Sequence, residues 1–391
     1  MTPRTFGIRL SLFNGFLYIG SGMQLPFLPL WLKDRGLAPA EIAIVVAAMT
    51  AIRIISVPAS ALIADRFGNR RRIVIGSAAA SFCFYLAMGF APGFFSILAL
   101  AIVAGAMFSP IGPLTEVLAI EGSSHHGIDY GRIRLWASIS FLSGSLAAGA
   151  LLEIVPVFWV IFVIALCQGG LAIAATALPP DPPHVAPAEG PFRVGAILRF
   201  LAGGGFVVFL AATSIAQASH GFLYAFGSVH WDHLGYGKLT IGCLWAAAVV
   251  TEISMFAYSN YFLGLLGPVR LIVAGIACGL VRWLVTGFDP SLWLLYPAMM
   301  LHVGSFALTH LGTMHYIRQA VPAGMRNTAQ GLYAALAGGI LMSLSMWSAG
   351  PLYAAFGGLS YFAMAAMSAI ALALALVLFR LNPRAEPPAA A

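Results

Sequence analysis

The chain has 391 residues, of which 60% are hydrophobic and only 8% are charged, and its formal net charge is +7. Soluble domains carry about 25% charged residues, so this composition excludes a soluble globular protein. The basic residues lie at the ends of apolar segments, which explains the positive charge without a nucleic-acid partner.

The apolar residues form long blocks, and a helix needs about 20 such residues to cross the bilayer core. Twelve blocks reach this length and predict transmembrane helices, in chain order 8–31, 40–64, 73–91, 94–117, 133–155, 157–178, 198–229, 239–263, 269–288, 291–316, 327–354 and 358–379. We therefore expect an all-α, multi-pass protein of the cell (inner) membrane.

The distribution of basic residues predicts the orientation of these helices. If the N-terminus lies inside, the cytoplasmic ends carry a series of arginines from Arg4 to Arg384, whereas the outer loops carry only Lys33, Arg35 and Lys238. This bias follows the positive-inside rule. Both termini are therefore expected to be cytoplasmic.

A proline-rich stretch, "PPDPPHVAPAEGP" at 179–191, separates six predicted helices from six others. It is typical of an extended linker. Weak internal similarity aligns Gly112 with Gly312 at an offset of 200 and Arg53 with Glu252 at an offset of 199. This similarity predicts two parallel repeats. The expected divisions are an N-terminal six-helix bundle, a cytoplasmic linker, a C-terminal six-helix bundle and a short cytoplasmic tail: 1–178, 179–196, 197–380 and 381–391.

Four ionisable side chains stand out within the apolar helices, namely Arg53, Glu252, Arg282 and His302. Such residues are costly in lipid and indicate a functional site unless partners explain them. Arg53 and Glu252 are expected near the midplane, but Arg282 lies only about six residues, or ~9 Å, from the end of its helix. Arg282 could therefore extend outward to water or pair with Glu252 near His302. Arg53 could bind an anion or pair with a neighbouring helix.

The loop "ALIADRFGNRRR" at 61–72 resembles the signature of the major facilitator superfamily, Gly-x-x-x-Asp-Arg-x-Gly-Arg-Arg/Lys, although Ala61 replaces the first glycine. The resemblance implies the twelve-helix, two-bundle major facilitator fold. It also implies that the loop is a conformational latch, with a simple positive-inside loop as the alternative. The matching residues are Asp65, Arg66, Gly68, Arg70 and Arg71.

Four further segments, 129–149, 221–237, 279–283 and 301–317, resemble the phenylpropionate-permease subgroup, which is related to lactose permease and to nucleoside:proton symporters. The resemblance implies proton-driven uptake of a small, often aromatic, carboxylate. Lactose permease carries a glutamate, an arginine and a histidine on helices 8, 9 and 10 as its proton-coupling site.

Glu252, Arg282 and His302 match these residue types in order, with the same spacing of 20 between arginine and histidine. Ser305 stands where the permease pattern has a second carboxylate. Glu252 is then the expected proton carrier, with purely structural charge pairing as the alternative.

Helices 1, 4, 7 and 10 line the central cavity in this superfamily, so their polar and aromatic residues are candidate substrate contacts. Gln217, His220 and Tyr224 share one helical face, and His302, Phe306 and Thr309 form a similar stripe. Aromatic side chains and cations suit an organic anion, whose carboxylate Arg53 could hold. The substrate-binding candidates are Arg53, Gln24, Gln217, His220, Tyr224, Trp245, Phe306 and Thr309.

No phosphate-binding loop, metal-ligand spacing or nucleophile–base pair is present in the sequence, so no cofactor or metal is expected and an enzyme is disfavoured. The expected partners are a small-molecule substrate, protons and the lipid bilayer, with the chain acting as a monomer. Proton-driven efflux of amphipathic compounds and sugar or nucleoside:proton symport remain the alternatives. A membrane sensor would need an output domain, for which the twelve helices leave no room.

Overall fold

The computed structural model describes residues 2–67, 69–127, 130–179, 204–322 and 325–381, and these are almost entirely helical. The predicted all-α class is therefore confirmed. In chain order the helices are α1 (Pro3–Asp34), α2 (Pro39–Ala51), α3 (Arg53–Phe67), α4 (Arg70–Gly89), α5 (Gly93–Phe108), α6 (Ile111–His126), α7 (Tyr130–Leu151), α8 (Val160–Thr176), α9 (Gly205–Ala218), α10 (Gly221–His233), α11 (Lys238–Ala257), α12 (Ser259–Thr286), α13 (Leu292–Met300), π1 (Val303–Leu308), α14 (Thr309–Ala320), α15 (Arg326–Tyr333), π2 (Ala334–Ile340), α16 (Leu341–Phe356) and α17 (Tyr361–Leu381).

Nine helical stretches in the described residues are long and apolar enough to cross a membrane. One of them, Arg326–Leu381, has 56 residues and is long enough for two of the predicted spans. Predicted helix 1 is present as the 32-residue α1. The count of twelve spans and the cytoplasmic location of both termini stay predictions, and almost all of the predicted linker lies outside the described residues.

Local chemistry explains where several helices begin and end. Thr2 caps α1 by accepting a hydrogen bond from the Thr5 amide, and Asn69 caps α4 through the Arg72 amide at 3.1 Å. Gly267 has φ 70° and ψ 168°, values open to glycine, and Pro268 follows it. The chain therefore changes direction inside α12, and a second helical segment, which carries Arg282, begins at Pro268.

One compact unit contains Met1–Val185 together with Tyr224–Ala246. Its core includes Phe6, Leu10 and Phe13 of α1. Lys33 forms an ion pair with Asp232 at 2.8 Å, and the Glu153 carboxylate accepts a hydrogen bond from the Leu239 amide at 2.8 Å. These polar contacts hold the Tyr224–Ala246 segment within this unit.

The second compact unit contains Ala186–Leu223 and Ala247–Ala391. Its described core includes Phe209 of α9 and Tyr316 of α14, whose rings stack with centroids 4.2 Å apart. Four of the predicted ionisable and polar residues, His220, Glu252, Arg282 and His302, belong to this unit.

Candidate functional site

Glycines bring α12 unusually close to π1. A Cβ atom on Gly275 would lie 2.3 Å from Thr309 Oγ1 and 2.7 Å from the Gly304 carbonyl oxygen, and one on Gly304 would lie 2.4 Å from Cys278 Cβ. Gly279, one turn after Gly275, faces Ser305 in the same way. This seam sets the face of α12 that carries Arg282 directly against the start of π1.

We expect Gly275→Ala to force the two helices apart, because no room exists for the added methyl group. Overpacking of this kind costs about 1–3 kcal/mol, so the variant should unfold at a lower temperature in detergent and transport more slowly. Gly264→Ala is the matched control on α12, because a Cβ there meets nothing within 4 Å. Equal melting temperatures for the two variants would contradict the proposed close contact.

Arg282 is fully buried at 0% exposure. Its Nη1 donates to His302 Nδ1 at 3.0 Å and to Ser305 Oγ at 3.2 Å, and Nη2 donates to Met299 Sδ at 3.5 Å. The Cα–Cβ bonds of a helix tilt toward its N-terminus, so the side chain runs away from the nearer helix end at Thr286. The guanidinium therefore does not reach outward to water, the alternative left open by the sequence.

His302 lies between Arg282 and Glu252. Its Nε2 is 3.5 Å from Glu252 Oε2 on the other side of the ring. Arginine has no acceptor, so Nδ1 must accept from Arg282 and the proton of the neutral ring lies on Nε2, facing the carboxylate. His302 thus connects Arg282 to Glu252, the partner that the sequence predicts for it.

Ser305 connects the arginine to a second histidine. Its hydroxyl accepts from Arg282 and lies 3.1 Å from His220 Nε2, while His220 Nδ1 lies 3.1 Å from the Gln217 carbonyl oxygen. Donor and acceptor roles are consistent if Ser305 donates to Nε2 and Nδ1–H donates to the carbonyl. The sequence alone does not indicate this connection, because there Ser305 only stands in place of an acid and His220 is a candidate substrate contact.

Helix irregularities place these groups. His220 lies between α9 and α10, where its ring bonds the Gln217 carbonyl oxygen. π1 begins directly after His302, and the Thr309 backbone amide donates to the Gly304 carbonyl oxygen five residues earlier. Short π segments of this kind occur mostly at functional sites. The extra residue in the turn directs both His302 and Ser305 toward Arg282.

Aromatic rings enclose the cluster. Phe306 stacks on His302 with ring centroids 5.1 Å apart, and Trp283 meets His220 edge to face at 5.2 Å. The Trp283 indole N–H donates to Ser219 Oγ at 3.0 Å. Water is therefore largely excluded, which strengthens every charge interaction in the cluster.

The hydrogen bonds of Arg282 distinguish His302 from Glu252 as a site for an added proton. Protonation of His302 at Nδ1 would set a second donor against Arg282 and break their bond. Protonation of Glu252 leaves both Arg282 bonds in place and removes only the negative charge beside Nε2. Glu252 lies fourteen residues after Lys238, the start of α11, and five before Ala257, where α11 ends. At 1.5 Å per residue, this places it about 21 Å from one end of the helix and about 8 Å from the other.

Arg53 occupies the centre of another span. It lies fourteen residues from each end of Pro39–Phe67, directly after the break between α2 and α3. Its side chain is exposed, and no hydrogen bond or ion pair joins it to the described residues. A guanidinium exposed to lipid at this depth would cost about 2.5–3.5 kcal/mol, which favours an aqueous environment for this side chain.

The remaining substrate candidates fall into both units. In the unit with Arg53, Tyr224 stacks on Trp245 at 6.0 Å, and the Trp245 indole donates to Ser228 Oγ at 2.9 Å. The side-chain oxygens of Gln24, in the same unit, and of Gln217, in the other, are buried and form no hydrogen bond within the described residues.

The predicted latch residues make local contacts. Arg70 lies 4.0 Å from Asp65, the Arg66 guanidinium lies over the Phe67 ring, and Arg71 donates to the Thr176 carbonyl oxygen at the end of α8. Gly68 lies outside the described residues. A cation at a helix C-terminus is favourable because it complements the helix dipole. The latch role stays a prediction.

The profile of the MFS_1 like family matches residues 7–364. The chain belongs to this family. It is therefore a multi-pass membrane transporter of the major facilitator superfamily and not an enzyme, as predicted.

Relatives of this MFS chain include the "Probable 3-phenylpropionic acid transporter" of Escherichia coli, 29% identical over 357 residues, covering 90% of this chain and 92% of the relative. The maltose permease of Geobacillus stearothermophilus is 26% identical and covers 84% of this chain and 83% of its own. Among solved structures, the nucleoside transporter NupG superposes with a TM-score of 0.82 at 13% identity, covering 96% of this chain and 99% of that chain. This similarity supports the major facilitator fold.

Proposed function

We propose that the chain carries a small aromatic carboxylate into the cell together with protons, by alternating access. The observation that supports proton coupling is the Glu252–His302–Arg282 arrangement, in which only the carboxylate can gain a proton without breaking the bonds of the arginine. A buried carboxylate that can gain a proton next to other charged side chains is typical of proton-coupling sites in transporters.

Arg53 supports the anionic substrate. An exposed guanidinium at the centre of a span, with no partner in the described residues, is available for a bidentate bond to a carboxylate. The stacked pair Tyr224 and Trp245 belongs to the same unit and offers flat surfaces for an aromatic ring. The similarity to a phenylpropionic acid transporter points to the same substrate class.

Transport into proteoliposomes tests the proposal. We expect an inward proton gradient to drive accumulation of labelled 3-phenylpropionate, and a neutral sugar or nucleoside to compete poorly. Accumulation of maltose or a nucleoside instead would favour the sugar or nucleoside symport suggested by the other relatives. Gradient-driven extrusion from inverted vesicles without uptake would favour efflux.

We expect Arg53→Gln to raise KM for 3-phenylpropionate about 10- to 100-fold, because hydrogen bonds to charged groups contribute about 1.5–3 kcal/mol. The neutral amide of the same acid should inhibit wild type and Arg53→Gln about equally, since it has no carboxylate to form a charge-assisted bond with Arg53. Arg380→Gln, at the end of α17, is the matched control for loss of one arginine. An unchanged KM in Arg53→Gln would assign the carboxylate to another residue.

A further inference from the structure

An apolar groove runs along α1 beside α7. It encloses about 700 Å³, and it is lined by residues 3–19 of α1 on one side and by Trp136 and Ser140 of α7 on the other. Ile8, Leu12 and Phe16 follow one another at every fourth position along it, with exposed fractions of 51%, 58% and 43%. Gly7 and Gly15 deepen it because they carry no side chain.

The groove lies on the outer side of α7. Trp136 and Ser145 are nine residues apart, as are Ser140 and Gly149, which at about 100° per residue places each pair on opposite faces. Ser145 donates to the Gly242 carbonyl oxygen, and a Cβ atom on Gly149 would lie 2.7 Å from the Lys238 carbonyl oxygen. Because that face packs against protein, the groove with Trp136 and Ser140 lies on the opposite face of α7, away from α11.

Charge is present at one end of the groove only. Arg4, one residue after the start of α1, is its single charged lining residue, and it is exposed. From Arg4 the groove continues to Ile19, about 22 Å along the helix, which is longer than one leaflet of a ~30 Å hydrocarbon core. Trp136 is 52% exposed six residues after the start of α7, a typical position for an interfacial aromatic.

We propose that this groove is a specific seat for a phospholipid with a negatively charged head group. The phosphate contacts the Arg4 guanidinium, and one acyl chain lies along Ile8, Leu12 and Phe16. A zwitterionic lipid can fill the same apolar groove, but its own cation competes with Arg4 for the phosphate. The site therefore prefers phosphatidylglycerol over phosphatidylcholine of the same chain length.

Native mass spectrometry of the delipidated full chain, titrated with phosphatidylglycerol or phosphatidylcholine, tests this site. We expect wild type to retain one phosphatidylglycerol more tightly than any phosphatidylcholine. Arg4→Gln should weaken this binding about fivefold, the factor for ~1 kcal/mol per basic residue near a membrane surface. Gly15→Leu should remove it by filling the groove.

Two control variants separate the groove from general effects. Arg380→Gln removes an arginine outside the groove, and Gly76→Leu adds the same side chain to an exposed position of α4 where a Cβ meets nothing within 4 Å. Both should bind lipid as wild type does. Equal retention of the two lipids by wild type, or unchanged binding in Arg4→Gln and Gly15→Leu, would overturn the proposal. Displacement of the bound lipid by 3-phenylpropionate would also overturn it and make the groove a substrate site.

Discussion

Arg282→Gln is expected to abolish uptake of 3-phenylpropionate and to destabilise the protein. The substitution removes a fully buried cation that bonds His302 and Ser305. Removing one partner of a buried charged network typically costs about 3–5 kcal/mol, because the groups left behind lose their compensation. The melting temperature in detergent and uptake into proteoliposomes measure the two effects. Arg270→Gln, on the same helix but exposed over the Phe379 ring, should change neither.

Arg282→Lys separates stability from function. Lysine keeps the positive charge, but it is a point charge that cannot hold His302 and Ser305 in the geometry of the planar guanidinium. We expect a melting temperature closer to wild type than that of Arg282→Gln, with uptake still lost. Wild-type uptake in Arg282→Lys would show that only the charge matters and that the paired bonds have no part in transport.

Glu252→Gln is expected to abolish proton-driven accumulation while substrate exchange continues. The amide keeps the size of the side chain and imitates the protonated acid, so it cannot release a proton. A proton gradient of one pH unit across the membrane supplies about 1.36 kcal/mol per proton. Coupling to one proton therefore lets wild type accumulate the substrate about tenfold for each pH unit of the gradient. The variant should equilibrate the substrate to equal concentrations on both sides.

Counterflow of labelled against unlabelled 3-phenylpropionate measures the exchange that should remain in Glu252→Gln. Glu41→Gln is the matched control, since Glu41 caps the Ala38 amide at the start of α2. That variant should accumulate substrate as wild type does. Full uphill uptake by Glu252→Gln would leave the carboxylate with a purely structural role.

The polar cluster was predictable from residue types and from the resemblance to lactose permease, whereas the depth of Arg282 left open that it extends to water. Glutamate, arginine and histidine on three successive predicted helices indicated one site, and the structure brings Glu252, Arg282 and His302 together in the second unit. The order of contacts was not predictable. A sequence pattern cannot show that α12 reaches π1 through Gly275, or that His302 separates the arginine from the carboxylate.

Helix irregularities limited the rest of the prediction. Gly304 lies inside π1 but does not by itself indicate a π segment, and neither glycine nor proline adjoins the break before Arg53, because tertiary packing rather than local propensity selects both features. The sequence shows Ser305 only as the residue in place of an acid. Its hydrogen bond to His220 depends on side-chain directions that a sequence pattern does not contain. The grouping of Tyr224–Ala246 with the first unit likewise depends on long-range contacts such as Lys33 with Asp232.

The pH inside proteoliposomes, followed after adding 3-phenylpropionate without any imposed gradient, tests the proposed proton coupling most directly. We expect the inward substrate gradient to carry protons with it, so the lumen of wild-type vesicles becomes acidic while that of Glu252→Gln vesicles does not. Substrate entry into wild-type vesicles with no change of internal pH, or equal acidification by Glu252→Gln, would contradict Glu252 as the proton carrier.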